Sequence, residues 1–165
     1  MSKIKYFGRD QLLQLGQDAL ISHRKRINFN LHESSADPIQ RMVNVLEPGT
    51  YMCPHIHKDS SKREMFVLLH GRLLLCLFDN SGVIAEHFIL DKTEGMYLVE
   101  IPVTMWHTLI PLAVHTTVFE IKDGPYDEGS DKIFAQWAPP EGSDDGQAYN
   151  KKILDKLGIV FPEFM

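Results

Sequence analysis

The sequence predicts an all-β protein, a single barrel or two-sheet sandwich with a short helix near each end. Three observations carry that prediction. Between Gln40 and Lys122, short runs of β-branched, aromatic and leucine residues alternate with turn residues and show no helical period. Helical spacing occurs only in the flanks. At 165 residues the chain is most simply one domain, and a domain of this size buries roughly 70% of the surface its unfolded chain exposes, so it needs no covalent staple.

In chain order, Asp10 to Leu20 reads as a helix. Leu12, Gly16, Ala19 and Leu20 share a face at i, i+4, i+7 and i+8, and Asp10 is the expected cap. Asn28 to Asp37 is polar and reads as irregular, closed by Asp37-Pro38. Strands follow at Gln40–Glu47, Tyr51–His57, Arg63–His70, Arg72–Asp79, Gly82–Asp91, Met96–Ile101, Met105–Leu112 and Val114–Lys122. Pro48-Gly49, Gly71, the Asp79-Asn80-Ser81-Gly82 run, Thr93-Glu94-Gly95 and Pro102 punctuate them. Gly124 to Glu141, rich in Gly, Pro and Asp but carrying Phe134 and Trp137, reads as a segment wrapped on the barrel. Asp144 or Asp145 caps a last helix in which Tyr149, Ile153 and Leu157 repeat, with Gly158 at its stop. The expected organisation is residues 1–39 as a helix and basic/polar segment on the barrel, 40–123 as the barrel core and 124–165 as the wrapping tail and helix.

Composition narrows the functional classes. Hydrophobic residues at 44% and charged residues at 24% are ordinary for a globular protein. A net charge of −5 argues against a general nucleic-acid binder, although His23-Arg24-Lys25-Arg26 is a local basic run. No apolar stretch approaches ~18 residues, no signal-like amino-terminal region is present, and the cysteines are Cys53 and Cys76 alone. The expectation is a cytoplasmic protein with no membrane partner and two small, partly buried thiols, a disulfide between them being the alternative.

The chemistry lies in Gly49, His55, His57, Glu64 and Gly71, answered by Pro102 and His107. Residues i and i+2 of a strand face the same side, roughly 6.6 Å apart. His55 and His57 therefore point inward together. Glu64 opens the next strand, and His107 arrives from a distant one. Three imidazoles and a carboxylate suit one divalent ion (Fe, Mn, Zn, Ni or Co), and the ligand types do not choose among these. His70 matches Glu64 in parity but lies about 20 Å along the strand, too far to share the ion. His87 and His115 read as structural; His23 and His32 lie near a pocket mouth or in solvent.

The run Gly49-x5-His55-x-His57 with Glu64-x6-Gly71 resembles the first motif of the cupins, and Pro102-x-Thr104-x-x-His107 resembles the second. The resemblance covers Gly49 to Pro111 and implies a cupin-type (jelly-roll) β-barrel with one metal site and pairing of barrels into a homodimer. His23 to His32, Gln40-Arg41-Met42, Gly124-Pro125-Tyr126 and the stretch from Asp131 to Pro139 resemble the WbuC family of cupin-fold metalloproteins, which occur in bacterial surface-polysaccharide settings. Two departures stand out. Six residues separate His57 from Glu64 where cupins usually have three or four, so Asp59 is an alternative oxygen donor. Thr104 stands where cupins usually carry glycine.

Parity with His55 and His57 places Tyr51 and Cys53 inside, Tyr51 as the candidate acid/base and Cys53 as a small inward side chain. Met105 and Leu109 share the parity of His107, and Trp106 points away from the metal. Arg24, Arg26 and Arg41 are candidates to clamp a carboxylate or phosphate, with Tyr126 and Lys132 of the tail closing over the same opening. Two functions follow: a metal-dependent enzyme acting on a small anionic or sugar-derived molecule, or a non-catalytic, metal-stabilised module binding one. Metal-free epimerisation fits poorly, because it needs a His–carboxylate base pair rather than a ligand cluster.

Overall fold

The computed structural model describes residues 4–57, 62–127, 129 and 131–160. Helix α1 (Arg9–Ile21) is followed by β1 (Arg26–Asn30), β2 (Ile39–Leu46), β3 (His55–His57), β4 (Glu64–His70), β5 (Arg72–Phe78), β6 (Ile84–Asp91), a 3-10 turn (Lys92–Glu94), β7 (Leu98–Ile101), β8 (Trp106–Pro111), β9 (Thr116–Asp123), β10 (Lys132–Phe134) and helix α2 (Gly146–Leu157). The strands form two five-stranded sheets, ordered β1-β2-β9-β4-β7 and β10-β3-β8-β5-β6. All pairings are antiparallel. This is the jelly-roll barrel of the cupin fold, with a short helix near each end.

Two apolar layers hold it. Between the sheets, Leu46, Phe66, Leu68, Leu73, Leu75, Leu77, Leu109 and Val118 form the inner core. Behind β5 and β8, Leu74, Cys76, Phe78 and Ile110 meet Ile153 and Leu154 of α2, joined by Trp106 and Trp137. Strand β5 therefore has apolar neighbours on both faces. Its sequence runs continuously apolar instead of alternating, as a doubly covered strand requires. Trp106 faces away from the histidines, edge-on to Trp137 at 5.9 Å, and its Nε1 donates to Asn80 at 3.1 Å. Cys53 and Cys76 are buried free thiols.

Gly71, between β4 and β5, has φ +77°, and a Cβ there would come within 2.7 Å of Thr116 Oγ1. Both the turn and the close approach of β9 require glycine. Thr104 adopts φ +63°. A β-branched residue thus stands in the conformation glycine favours, which explains how the second motif keeps its turn without one.

Three local expectations need correction. Asp10 does not cap α1. Gly8 holds the cap position, with its N–H donating to Gln11 Oε1 at 3.0 Å. Residues 28–30 are strand rather than irregular, because β1 pairs with β2 from Arg26↔Leu46 to Asn30↔Met42. The wrapping tail contributes a tenth strand, β10, paired with β3 through Lys132↔His57 and Phe134↔His55. At α2, Asp145 holds the cap position without a side-chain bond, and Gly158 stops the helix at φ +68°.

Candidate metal centre

His55 and His57 come from β3, Glu64 from the start of β4 and His107 from β8, directly opposite His55. All four are buried, and one ligand atom from each lies within 4.8 Å of the others. Glu64 Oε2 is 3.0 Å from His57 Nε2 and 3.1 Å from His107 Nε2. Ligand atoms held at ~2.0–2.1 Å from one ion at right angles stand about 3 Å apart, so this spacing suits a shared ion.

Main-chain carbonyls orient the imidazoles. His55 Nδ1 donates to Cys53 O at 3.1 Å, His57 Nδ1 to Asp131 O at 3.2 Å and His107 Nδ1 to Met105 O at 2.9 Å. With the proton on Nδ1, the Nε2 atoms of His55 and His107 carry lone pairs aimed at the cluster, and that of His57 does so once it gives up the proton shared with Glu64. His55 Nε2 and His107 Nε2 are buried without a hydrogen-bond partner. A bare imidazole nitrogen facing a carboxylate oxygen at 3.1 Å puts two acceptors face to face, an arrangement that calls for a cation between them. The donor set and the orphaned nitrogens therefore fit a divalent metal.

The charges agree. Burial pushes the His55 pKa well below its ordinary value, with Lys132 and His107 adding to the effect, so His55 is a neutral donor. Burial would raise the Glu64 carboxyl, but interaction with His107 and His57 outweighs it and holds the group well below the usual carboxylate range. For His57, burial lowers the pKa, yet hydrogen bonds to Asp131 and Glu64 lift it to about 9. A cation is thus favoured between His57 and Glu64, as a proton when no metal is present.

A cavity of about 560 Å³ reaches His55, Glu64 and His107. Arg24, Arg26, Tyr126 and Lys132 all line it, as do Cys53 and Leu109. Met105 instead packs against the inner core. Arg26 is committed within the protein: it donates to Tyr51 O at 2.7 Å and pairs with Glu141. The ring of Tyr126 lies under Lys122, whose Nζ is 5.0 Å from its centroid.

Two candidates fall outside the cavity wall. Tyr51 precedes the paired part of β3, so strand alternation does not extend to it. Its hydroxyl donates to Pro139 O at 2.6 Å, and its ring sits edge-on to Tyr149. Burial, and after it the neighbouring Cys53, raise its pKa far above the ordinary phenol. This is a structural tyrosine. Arg41 points away, 3.8 Å from Asp37 and partly exposed. Asp59 lies outside the described residues.

Several lining residues escaped the sequence reading: Asn28 and Asn30 on β1, Gln40 and Asn44 on β2, Glu120 and Lys122 on β9, Phe134 and Glu141 in the tail. A signal existed for some. Gln40, Asn44, Glu120 and Lys122 share strand parity with the core residues Leu46 and Val118, so polar side chains were occupying inward positions. Asp131 was also missed. Its carboxylate meets Lys62 at 2.7 Å, Lys122 at 2.5 Å and His57 Nδ1 at 3.4 Å.

The chain has a cupin-type jelly-roll fold with a buried His-His-Glu-His cluster that could hold a metal ion. Solved structures agree on the fold. CapF bound to the inhibitor 3-isopropenyl-tropolone is 20% identical, with a TM-score of 0.54 over 69% of this chain and 32% of that one. The capsular polysaccharide assembling protein CapF from Staphylococcus aureus gives 20% identity and a TM-score of 0.51 over 65% and 31%. The SPY1581 protein of unknown function from Streptococcus pyogenes gives 16% and 0.50 over 77% and 98%. The chain thus spans about a third of the length of CapF. No curated protein matches it in sequence. By its family model the chain belongs to the family described as Domain of unknown function (DUF6016), which matches residues 7–90.

Proposed function

We propose that this protein is a metal-dependent cupin enzyme, of the WbuC kind, acting on a small anionic or sugar-derived molecule. His55, His57, Glu64 and His107 would hold one divalent ion, Fe, Mn, Zn, Ni or Co. The observation that carries the reading is the pair of buried, unpartnered Nε2 atoms of His55 and His107 converging on the Glu64 carboxylate. When bound, the ion supplies Lewis-acid polarisation, or oxygen activation if it is iron.

The chain's own residues account for the rest. Main-chain carbonyls fix each imidazole, the cavity brings a ligand to the cluster, and Lys132 and Arg24 supply positive charge along its wall. The non-catalytic alternative, a metal-stabilised binding module, is less favoured because the cavity reaches three of the four ligand residues instead of leaving them enclosed. A role in surface-polysaccharide metabolism accords with the description of CapF as a capsular polysaccharide assembling protein. Buried free thiols suit a reducing cytoplasm. No helix among the described residues is long and apolar enough to cross a membrane. Pairing into a homodimer belongs to the same reading, and a monomer mass by light scattering would remove it.

Metal analysis of protein purified without added metal tests the centre. Wild type should carry close to one equivalent and His57→Ala much less. Equal content in the two would overturn the assignment.

A further inference from the structure

The inner face of the first sheet changes character along its register. Toward the core it presents Phe66, Leu68, Leu46 and Val118. Toward β1 the inward positions are polar: Asn28 lies opposite Asn44, and Asn30 opposite Met42, which is itself opposite Glu120. Asn28 and Asn30 stand exposed at the cavity mouth, and Asn44 and Glu120 are half-buried behind them. Here they are linked only in part. Asn44 Nδ2 donates to Glu120 Oε2 at 2.5 Å and Asn28 Nδ2 to Asn30 Oδ1 at 2.5 Å. The remaining amide edges, donors and acceptors together, line the cavity, and Glu120, also hydrogen-bonded with Glu64, stands beside them. That mixture matches a row of hydroxyl groups, each of which both donates and accepts.

The cations sort themselves in the same way. Arg26 is paired with Glu141 and Lys122 with Asp131. Arg24 and Lys132 line the cavity with no ion pair among the described residues. Lys132 is only partly exposed and sits directly across from His57, on the face that carries the ligand residues. Phe134, two residues on, shares that face, its ring 6.0 Å from His55 and partly open to solvent. One wall therefore offers a positive charge and an aromatic face, the other a hydroxyl-binding row that carries the Glu120 carboxylate.

We infer that the cavity takes a polyhydroxylated acid, a small sugar bearing one carboxylate or phosphate, with its acid group beside Lys132 and its hydroxyls on Asn28, Asn44 and Glu120. This rests on the metal-site reading above and joins its two ligand chemistries in one molecule. The volume of about 560 Å³ suits a ligand of that size. The Lys132 ammonium draws the acid group to its own wall, which sets the orientation.

Calorimetry on the metal-loaded protein, with D-gluconate, D-glucose 6-phosphate, D-glucose and lactate as probes, tests the inference. At least one sugar acid should bind roughly tenfold tighter than both glucose and lactate, the scale of one charge-assisted hydrogen bond. Whichever sugar acid binds tighter identifies carboxylate or phosphate as the acid group. Lys132→Met should remove the advantage over glucose and Asn28→Ala the advantage over lactate, each with metal content unchanged. Glucose binding as well as the sugar acids would overturn the acid part, and equal binding of lactate the polyol part. Failure of all four probes on protein carrying its full metal would overturn the inference while leaving the metal centre intact. Selective sugar-acid binding by protein that takes up no metal when titrated with Mn, Zn or Ni would uphold the inference and remove the metal reading.

Discussion

At the residue scale, the centre is decided by where three protons sit. Each histidine gives its Nδ1 proton to a main-chain carbonyl, one from Cys53, one from Asp131 and one from Met105. The lone pairs left on Nε2 are then fixed in direction by backbone, which side-chain motion cannot easily undo. Thr104 is a second residue whose conformation has a measurable consequence. The left-handed region costs a non-glycine residue roughly 1–2 kcal/mol, whereas glycine loses about 0.5–1 kcal/mol through chain entropy. Thr104→Gly should therefore be neutral or stabilise by up to about 1.5 kcal/mol, with a melting temperature up by as much as roughly 6 °C. A clear fall in melting temperature would show that the threonine side chain makes up for its backbone.

At the element scale, the segment ending in β10 is fastened to the barrel by Asp131. Its carboxylate is buried and pairs with Lys122 and Lys62. Burial alone would raise this carboxyl, but hydrogen bonds from His57, Lys122 and Lys62 hold it well below the usual carboxylate range. A group with a depressed folded value stabilises the protein above the unfolded value, near pH 4, and loses that contribution as pH falls toward the folded one. Asp131→Asn leaves a buried lysine unpaired and should cost about 3–5 kcal/mol at neutral pH. The gap from wild type should narrow below about pH 4, as followed by denaturant unfolding across pH. A gap that is constant down to pH 2 would assign the loss to packing. Because β10 also pairs with β3, the same variant should weaken metal retention.

At the scale of the whole molecule, metal and fold are linked, because the four ligand residues come from three strands spread over both sheets. An ion held by them would bind the folded chain and not the unfolded one. At a free metal concentration a hundredfold above its dissociation constant it should add about 2.7 kcal/mol, which for a chain of this size is roughly 5–10 °C in melting temperature. A thermal scan of chelator-treated protein with and without added Mn, Zn or Ni measures it, and identical melting curves with every metal would count against a site formed by the fold.

The fold was legible in the sequence because the barrel's burial pattern repeats: eight apolar runs at regular spacing leave few architectures open. His55, His57, Glu64 and His107 were legible because strand parity and turn residues place them without reference to distant contacts. The reading failed where the chain departs from that pattern. β1 reads as irregular because its inward residues, Asn28 and Asn30, line a cavity in place of core. β10 has only three residues and exists because β3 offers it an edge. Tyr51 was misassigned because parity was extended beyond the paired strand. The sequence by itself thus determined the barrel and the four residues that gather in one buried cluster, since both follow from local period and spacing. Only the tertiary structure decided what surrounds them: Lys132 rather than Arg41 in the wall, and Asp131 behind His57. Those positions depend on which edges pair across long sequence separations, and no local periodicity encodes that.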